Sequence, residues 1–353
     1  MESVAHRKTH PKLYEPQTVP NHQVLGALPI SPHVLNILFR LAGPRTWVFG
    51  SASFILGYVL SGGLSLFSVV IGVAIASLVT ASTNIVNAYA DRKEDAVNQP
   101  ARAFWLDQVG DKGVRATSIF LYCMSIVLSV FLSPLFIFIL FLGILNSVFY
   151  SVRPFRFKSH PLSALISFSC ALALPFLGGL SVNGTPDLFS PMLWLVTYFM
   201  FCYGTVKNLP DYVGDKKAGV RTSATIFNRV GSAVLFTGIL LFTPHILLLG
   251  LVGFGFLQPI YLADLLLLPL LGFVFFKMHR ARNSEQLEHA HTLGYFYAIT
   301  FVLATLVLST LTVAALVIVV VAYSWAFLVS KSSLHSRVEK RDWENHAHRR
   351  KAA

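Results

Sequence analysis

Long apolar runs separated by short polar connections dominate this chain. A membrane-spanning α-helix needs about 20 consecutive apolar residues, and most of the runs are close to that length. They predict helices over residues 35–60, 64–88, 116–133, 135–150, 162–181, 191–207, 232–253 and 259–276, followed by an apolar run over 292–329. The pattern therefore predicts an all-α integral membrane protein that crosses a lipid bilayer many times.

The last apolar run, residues 292–329, is too long for one crossing. At about 1.5 Å per residue it is nearly twice as long as the hydrocarbon core is thick. Ser309, Thr310 and Thr312 mark a break inside it, so we expect a helical hairpin there. The expected fold is a bundle of about nine to ten transmembrane helices around a central cavity.

Positive charge is concentrated in every second connection between the apolar runs. Lys and Arg occur at residues 89–115, 151–161, 208–231 and 277–291, and are absent near 61–63, 134, 182–190 and 254–258. Because positively charged loops stay in the cytosol, the N-terminus and the charged loops are predicted to be cytosolic. If the basic C-terminal tail is cytosolic as well, the number of helices is even, which favours about ten.

Polar segments flank the predicted membrane domain. Residues 1–30 are predicted to be a mobile cytosolic arm, residues 31–329 the transmembrane domain, and residues 330–353 a basic cytosolic tail.

The composition excludes several classes of protein. Only 12% of the residues are charged and 54% are hydrophobic, whereas about a quarter of the residues in soluble domains are charged. The formal net charge is +12, but no basic helix with interleaved aromatic residues indicates nucleic-acid binding. The three cysteines lie in apolar segments without metal-ligand spacing, so neither disulfides nor a zinc site is expected.

Two acidic motifs follow predicted helices in the charged loops. Asn87, Asp91 and Asp95 are spaced four residues apart in the first, and Asp211 and Asp215 repeat that spacing in the second. On a helix this spacing aligns the side chains on one face. The two Asp pairs are 120 residues apart, which suggests a pseudo-repeat with two acidic ends facing a central cavity. Either motif alone is compatible with a solvated loop, but the matched pair favours a binding site.

Paired carboxylates at the end of an apolar bundle suit a metal-bound diphosphate. Mg²⁺ prefers octahedral oxygen ligands, takes one or two carboxylates per ion and leaves positions for phosphate oxygens. Two facing Asp pairs can therefore hold Mg²⁺ ions bridged by a prenyl diphosphate, and the metal neutralises the charge of the departing pyrophosphate. Nearby Lys and Arg side chains would complete the clamp, and the apolar interior would house the isoprenoid tail.

Three sequence patterns surround the acidic residues: NxxxDxxxD from Asn87, NxPxR from Asn98 to Arg102, and DxxGDxxxGxRT from Asp211. Together they resemble the UbiA-type intramembrane prenyltransferase superfamily over most of residues 35–310. The resemblance implies a helical bundle with a Mg²⁺–diphosphate site under a cytosolic cap. The implied metal ligands are Asn87, Asp91, Asp95, Asp211 and Asp215, and the four Asp residues are also the implied catalytic groups. The implied diphosphate contacts are Asn87, Asn98, Arg102, Lys207 and Arg221.

Another polar stretch ends the predicted fourth helix on the same side of the membrane. Tyr150 is expected to act in catalysis by stabilising an allylic carbocation through its ring face, and Arg153 and Lys158 are expected to contact diphosphate. The alternative is an interfacial aromatic residue beside cations that only set the topology. Arg45, which follows Pro44 in the first helix, is expected to extend to the membrane interface.

The favoured function is Mg²⁺-dependent transfer of a prenyl group from a polyprenyl diphosphate to an aromatic or other lipophilic acceptor. No Asp or Glu outside the metal set presents itself as a general base, so the acceptor's proton is expected to leave with pyrophosphate or water. Many members of the superfamily follow Arg102 with Pro-x-x-Ser-Gly, where this chain has Ala103–Asp107. This departure leaves open a membrane terpene cyclase that needs no acceptor. A transporter is disfavoured because the acids lie at helix ends rather than near the bilayer midplane.

We predict that Asp91→Ala and Asp211→Ala each abolish turnover of a prenyl diphosphate while leaving the protein folded. Each substitution removes a carboxylate from one of the two predicted metal sites. Turnover by the purified variants tests this, with size-exclusion profiles as the control for folding. Near-normal turnover in either variant contradicts a site built from both motifs.

Overall fold

The computed structural model describes residues 31–217 and 219–330, apart from the side chains of Val97, Asn98 and Pro100. The described part is helical and contains no strand. Its helices are α1 (Pro32–Leu41), α2 (Trp47–Leu60), α3 (Leu66–Ala90), α4 (Arg92–Asn98), α5 (Pro100–Ser129), α6 (Pro134–Ser151), α7 (Pro161–Ser181), α8 (Pro191–Lys207), α9 (Tyr212–Lys217), α10 (Val230–Gly253), α11 (Leu268–Arg280), α12 (Ser284–Thr310) and α13 (Val313–Ser330). The predicted arm, residues 1–30, and nearly all of the predicted tail, residues 330–353, lie outside the described residues.

Seven helical segments of the described chain are long and apolar enough to cross a membrane. They are Leu66–Ala90, Pro134–Ser151, Pro161–Ser181, Val230–Gly253, Pro259–Arg280, Ser284–Thr310 and Val313–Ser330. The protein is therefore a multi-pass integral membrane protein, as predicted. α2 and α8 are shorter, with 14 and 17 residues, and the count of nine to ten spanning helices stays a prediction.

The first predicted helix, residues 35–60, is broken in the structure. α1 ends at Leu41, Gly43 takes a left-handed conformation with φ 57°, and a short 3₁₀ turn over Pro44–Thr46 leads into α2. Gly adopts positive φ without steric cost, and Pro has no N–H to continue a helix, so the pair ends the first segment. The break turns the chain inward at Arg45, which is only 5% exposed.

The predicted break in the last apolar run is confirmed. α12 ends at Thr310, Leu311 adopts φ 51°, and α13 starts at Val313. α13 then packs against the break between α1 and α2. Trp325 Nε1 donates a hydrogen bond to Pro44 O at 2.8 Å, and the Trp325 ring stacks on Trp47 at 5.6 Å between centroids.

Close packing of α2 against α7 forms the centre of the bundle. A Cβ atom on Gly57 would lie 2.1 Å from Phe176 O, and one on Gly179 would lie 2.2 Å from Phe54 O. Both positions therefore require glycine, because the backbones approach too closely for any side chain. α2 also packs against α3 and α12, so this crossing holds the walls of the bundle together.

We predict that Gly179→Leu destabilises the protein by more than the roughly 1–3 kcal/mol typical of overpacking, because its side chain would collide with backbone rather than with a movable side chain. Gly250→Leu in α10 is the matched control, since no atom lies within 4 Å of a Cβ built there. Thermal unfolding in detergent, followed by loss of monodisperse protein, measures both variants. Equal melting temperatures for the two variants contradict the close crossing.

Candidate active site

A cavity of about 360 Å³ lies inside the bundle, with lining residues from α2, α3, α4, α6, α7, α8 and α12. Apolar side chains from the interiors of the helices line one part of it. These include Phe49, Phe54, Ile75, Phe136, Leu140 and Leu174. Charged and amide side chains from the helix ends line the rest. The cavity therefore joins an apolar compartment to a strongly charged one.

The first acidic motif lies where α3 passes into α4. Asp91 N donates to Asn87 O at 2.9 Å, and Asp95 N donates to Asp91 O at 2.7 Å. These one-turn hydrogen bonds carry the helical spacing across the junction, so the three side chains share a face. Asn87, Asp91 and Asp95 all line the cavity.

The second acidic motif lies between α8 and α9. Asp215 N donates to Asp211 O at 2.9 Å, which again places the two carboxylates one turn apart. Both line the same cavity as the first motif, and α9 packs against α4. Asn208, between the motif and α8, donates through Nδ2 to Ser223 Oγ at 2.8 Å and fixes the following loop.

Cationic side chains meet the first motif directly. Lys158 Nζ forms an ion pair with Asp91 and lies 3.4 Å from Asn87 Oδ1. Arg156 Nη2 lies 2.6 Å from Glu94 Oε1 and 3.5 Å from Asp91 Oδ1. Burial and the nearby Lys207 ammonium lower the pKa of Lys158 to about 7, while Asp215 opposes this change. The charge on Lys158 therefore depends on the anions around it.

Asp95 and Arg102 form the most buried ion pair of the cavity. Arg102 Nη1 lies 2.9 Å from Asp95 Oδ2, and the two residues are 3% and 5% exposed. Burial raises the pKa of Asp95 to about 7, against the opposing effect of Arg102 and with additional repulsion from Asp211 and Glu94. Arg102 also donates to Asn84 O at 3.3 Å, so the pair ties α5 to α3 and α4.

Lys207 lies between two aromatic rings at the end of α8. Its Nζ atom is 5.3 Å from the ring centroids of both Tyr150 and Phe168, and 3.4 Å from the Tyr150 hydroxyl. Tyr150 and Lys207 both line the cavity. A cation thus lies beside the Tyr150 ring in the structure, and the role of this ring in stabilising a carbocation stays a prediction.

The structure does not bring every predicted site residue to the cavity. Arg153 and Arg221 are exposed and do not line it. The side chain of Asn98 lies outside the described residues. The divergent stretch Ala103–Asp107 belongs to α5 and does not line the cavity. Asp107 pairs instead with Arg92, so this stretch packs the junction between α4 and α5.

Several cavity residues were not assigned a role by the sequence. Arg156 takes the position expected of Arg153, because the turn between α6 and α7 directs residue 156 towards the first motif. Arg45 was expected at the membrane interface, and this is wrong: its side chain is buried in the cavity wall. Glu288 and His291 also line the cavity. The three-residue spacing of Glu288 and His291 is typical of one face of a helix, but it lies in a segment that the sequence pattern indicated to be a loop.

The lining carries more acid than base among the described residues. Six carboxylates face the cavity, from Asp91, Glu94, Asp95, Asp211, Asp215 and Glu288. Five cations face it, from Arg45, Arg102, Arg156, Lys158 and Lys207. A diphosphate cannot enter such a compartment favourably unless further positive charge comes with it, because charges interact strongly where water is scarce.

The donor set fits Mg²⁺ shared with a phosphate ligand. All six acids and Asn87 offer the oxygen ligands that Mg²⁺ prefers. Within residues 31–217 and 219–330, no three His, Cys, Asp or Glu side chains converge on one point to hold a metal ion by themselves. In proteins Mg²⁺ commonly takes one or two carboxylates for each ion, and phosphate oxygens and water fill its remaining positions.

Comparison with known proteins identifies relatives of the chain. The model of the UbiA prenyltransferase family matches residues 47–297. A digeranylgeranylglyceryl phosphate synthase of Methanoregula boonei is 27% identical, covering 53% of this chain and 66% of its own length. The bacteriochlorophyll synthase 34 kDa chain of Chloroflexus aurantiacus is 26% identical, covering 55% of this chain and 65% of its own length. The chain thus spans about two thirds of the length of these two relatives.

The fold is similar to that of a solved structure. The structure of a UbiA homologue from Archaeoglobus fulgidus bound to DMAPP and Mg²⁺ superposes with a TM-score of 0.59 at 18% identity. The match covers 75% of this chain and 98% of that chain. At this identity the likeness establishes a common helical fold.

We predict that Arg156→Gln weakens binding of pyrophosphate in the presence of Mg²⁺ by about tenfold or more, because it removes a charge-assisted hydrogen-bond donor worth roughly 1.5–3 kcal/mol. Arg153→Gln is the matched control, since Arg153 lies three residues away and does not line the cavity. Titration calorimetry on the purified variants compares them. If Arg153→Gln causes the larger loss, the assignment of Arg156 to the anion site is wrong.

Proposed function

Because the chain belongs to the UbiA prenyltransferase family, we propose that it is a Mg²⁺-dependent intramembrane enzyme that transfers a prenyl group from a polyprenyl diphosphate to a lipophilic acceptor. The observation that carries the proposal is that, among the described residues, one cavity brings an apolar compartment together with two acidic motifs and five cations. A prenyl diphosphate has the same division between an apolar tail and a highly charged head.

The charged compartment binds the diphosphate. Arg102, Arg156, Lys158 and Lys207 supply donors to its oxygens, and the Arg side chains suit two-pronged contact with phosphate. Three of these cations, all except Lys207, pair with acidic side chains at the junction of α3 and α4. Binding therefore exchanges ion pairs within the protein for contacts with the diphosphate.

Asn87, Asp91, Asp95, Asp211 and Asp215 would hold Mg²⁺ together with the diphosphate. When bound, Mg²⁺ neutralises charge on the pyrophosphate leaving group. This role follows from the charge of the cavity, where the cations of the protein alone do not balance its own acids. Mg²⁺ is also present in the related Archaeoglobus fulgidus structure.

Transfer breaks the bond between C1 of the prenyl group and the diphosphate oxygen, and the electron pair leaves with pyrophosphate. The cations around the headgroup stabilise that negative charge where it develops. The ring face of Tyr150 stabilises the positive charge that remains on the allylic carbons. A nucleophilic atom of the acceptor then forms the new bond to C1.

The apolar compartment accommodates the isoprenoid tail and ends at interlocking rings. Phe54 is 1% exposed and packs edge-on against Phe136 at 5.9 Å. A Cβ atom on Gly72 would lie 2.0 Å from the Phe54 ring, and one on Gly178 would lie 2.9 Å from Phe136. These glycines make room for the two rings, which limit how far a tail reaches.

The charged end of the cavity faces the cytosol in this proposal. The positively charged connections at residues 89–115, 151–161 and 208–231 all adjoin the acidic motifs, and such loops remain on the cytosolic side. The 1–30 arm and the basic tail belong to the same side.

We predict that purified protein with Mg²⁺ and geranylgeranyl diphosphate forms a prenylated product only when an acceptor is added. The acceptors to compare are geranylgeranylglyceryl phosphate, a chlorin carboxylic acid and 4-hydroxybenzoate, which represent an alcohol, a carboxylate and a phenol. Mass spectrometry of the extracted lipids identifies the product, and omission of Mg²⁺ is the control. A cyclic hydrocarbon formed without acceptor would show a terpene cyclase instead.

A further inference from the structure

A carboxylate and an imidazole face the cavity from α12, outside both acidic motifs. Glu288, His291 and Tyr295 are spaced three and four residues apart, so they share one face of the helix. All three line the cavity. One turn beyond His291, Gly294 contacts α8. A Cβ atom added to Gly294 would lie 3.2 Å from the Val206 side chain. α12 therefore packs against the C-terminal part of α8 one turn beyond the pair.

The two side chains form a partly buried pair. His291 Nδ1 lies 3.8 Å from Glu288 Oε1, and the side chains are 17% and 16% exposed. His291 Nδ1 is buried and makes no hydrogen bond. At this distance the two atoms are beyond direct hydrogen-bond reach, and a small side-chain rotation would bring them into contact.

A wall of aromatic and cationic groups continues from this pair along α12. The Arg45 guanidinium lies over the Tyr295 ring at 4.6 Å, and the Tyr295 hydroxyl donates to Arg45 O. Tyr295 also packs edge-on against Phe49 at 5.4 Å. This wall is formed by α2, α8 and α12, whereas the first motif and its cations come from α3, α4, α5 and the turn after α6. The cavity thus has a second polar side.

The second polar side suits an acceptor better than a diphosphate. The Glu288 carboxylate there repels a diphosphate most strongly, and it also repels a carboxylate acceptor, which carries less negative charge. A neutral hydroxyl, in contrast, donates a hydrogen bond to Glu288 and must lose its proton when its oxygen is alkylated. A base facing the acceptor is the group that this reaction requires and that neither acidic motif supplies if both hold metal.

We propose that Glu288, positioned by His291, is the general base that accepts the proton of a hydroxyl-bearing acceptor. The step rests on the proposed prenyl transfer. The acceptor oxygen forms a bond to C1 of the prenyl group, the bond from C1 to the diphosphate oxygen breaks, and its electron pair leaves with pyrophosphate. The hydroxyl proton passes to the Glu288 carboxylate. A weak base suffices because the hydroxyl becomes strongly acidic as its oxygen attacks the allylic cation.

The test measures cleavage of the C1–O bond and transfer of the prenyl group separately in the Glu288→Gln variant. Geranylgeranyl diphosphate labelled with ¹⁸O in the bridging position exchanges the label with non-bridging oxygens whenever the C1–O bond breaks and re-forms. We expect this exchange to persist, and the diphosphate with Mg²⁺ to bind at least as tightly as in the wild type, because a carboxylate that repels it has lost its charge. Transfer to geranylgeranylglyceryl phosphate is expected to fall by about 100-fold or more, the usual contribution of a general base.

Three further variants control the result. Glu285→Gln removes an exposed carboxylate one turn earlier on α12 and should leave transfer unchanged. Glu288→Asp keeps the carboxylate and should recover part of the transfer. His291→Asn should reduce transfer less than Glu288→Gln and leave isotope exchange intact, since His291 acts through Glu288.

Two results in the Glu288→Gln variant would overturn the proposal. Unimpaired transfer in Glu288→Gln overturns it and leaves pyrophosphate or water as the proton acceptor. Loss of isotope exchange or of Mg²⁺-dependent binding in Glu288→Gln also overturns it, because Glu288 then belongs to the metal–diphosphate site. A wild-type protein that transfers no prenyl group to any acceptor refutes the proposed function itself, which is a distinguishable result.

Discussion

The balance of charge inside a membrane-enclosed cavity is the constraint on which the rest of this structure depends. Six carboxylates and five cations face a space that apolar helices surround, and isolated charges in such a space are costly. The protein meets this cost by pairing: Asp95 with Arg102, Asp91 with Lys158, and Glu94 with Arg156. In the proposed function the same donors and acceptors bind a diphosphate and its metal. The ion pairs that stabilise the cavity are therefore the ones that this binding would exchange.

The packing of the helices fixes the distances between their charged ends and so controls which charges can pair. The glycine-mediated crossing of α2 and α7 sets how closely the walls approach. The break at Gly43 and Pro44 turns Arg45 into the wall, and α13 packs over that break through Trp325. Each of these features lies outside the acidic motifs. Substitutions in the framework are thus expected to change the site indirectly, through the positions of helix ends.

Residue spacing predicted the structure correctly where the interacting residues lie within a few positions of one another. The four-residue spacing of Asn87, Asp91 and Asp95 appears as successive one-turn hydrogen bonds, and the break near Ser309 and Thr312 lies where the polar residues indicated it. Arg153 and Arg156 show the limit of such reasoning. Both are cations in one short polar stretch, and only the path of the turn after α6 decides that residue 156 meets Asp91 and Glu94.

By itself, the sequence determined the membrane class, most helix positions, the two acidic motifs and the family to which they belong. These properties follow from hydropathy, helical period and residue type, which are local and additive along the chain. Only the tertiary structure decided which cations oppose the acids, that Arg45 is buried in the cavity wall, and that Glu288 and His291 face the same cavity. Those facts depend on how helices distant in sequence cross and end. Local periodicity does not encode such crossings, because they arise from packing between segments far apart in the sequence. Arg45 and Tyr295, for example, are 250 residues apart.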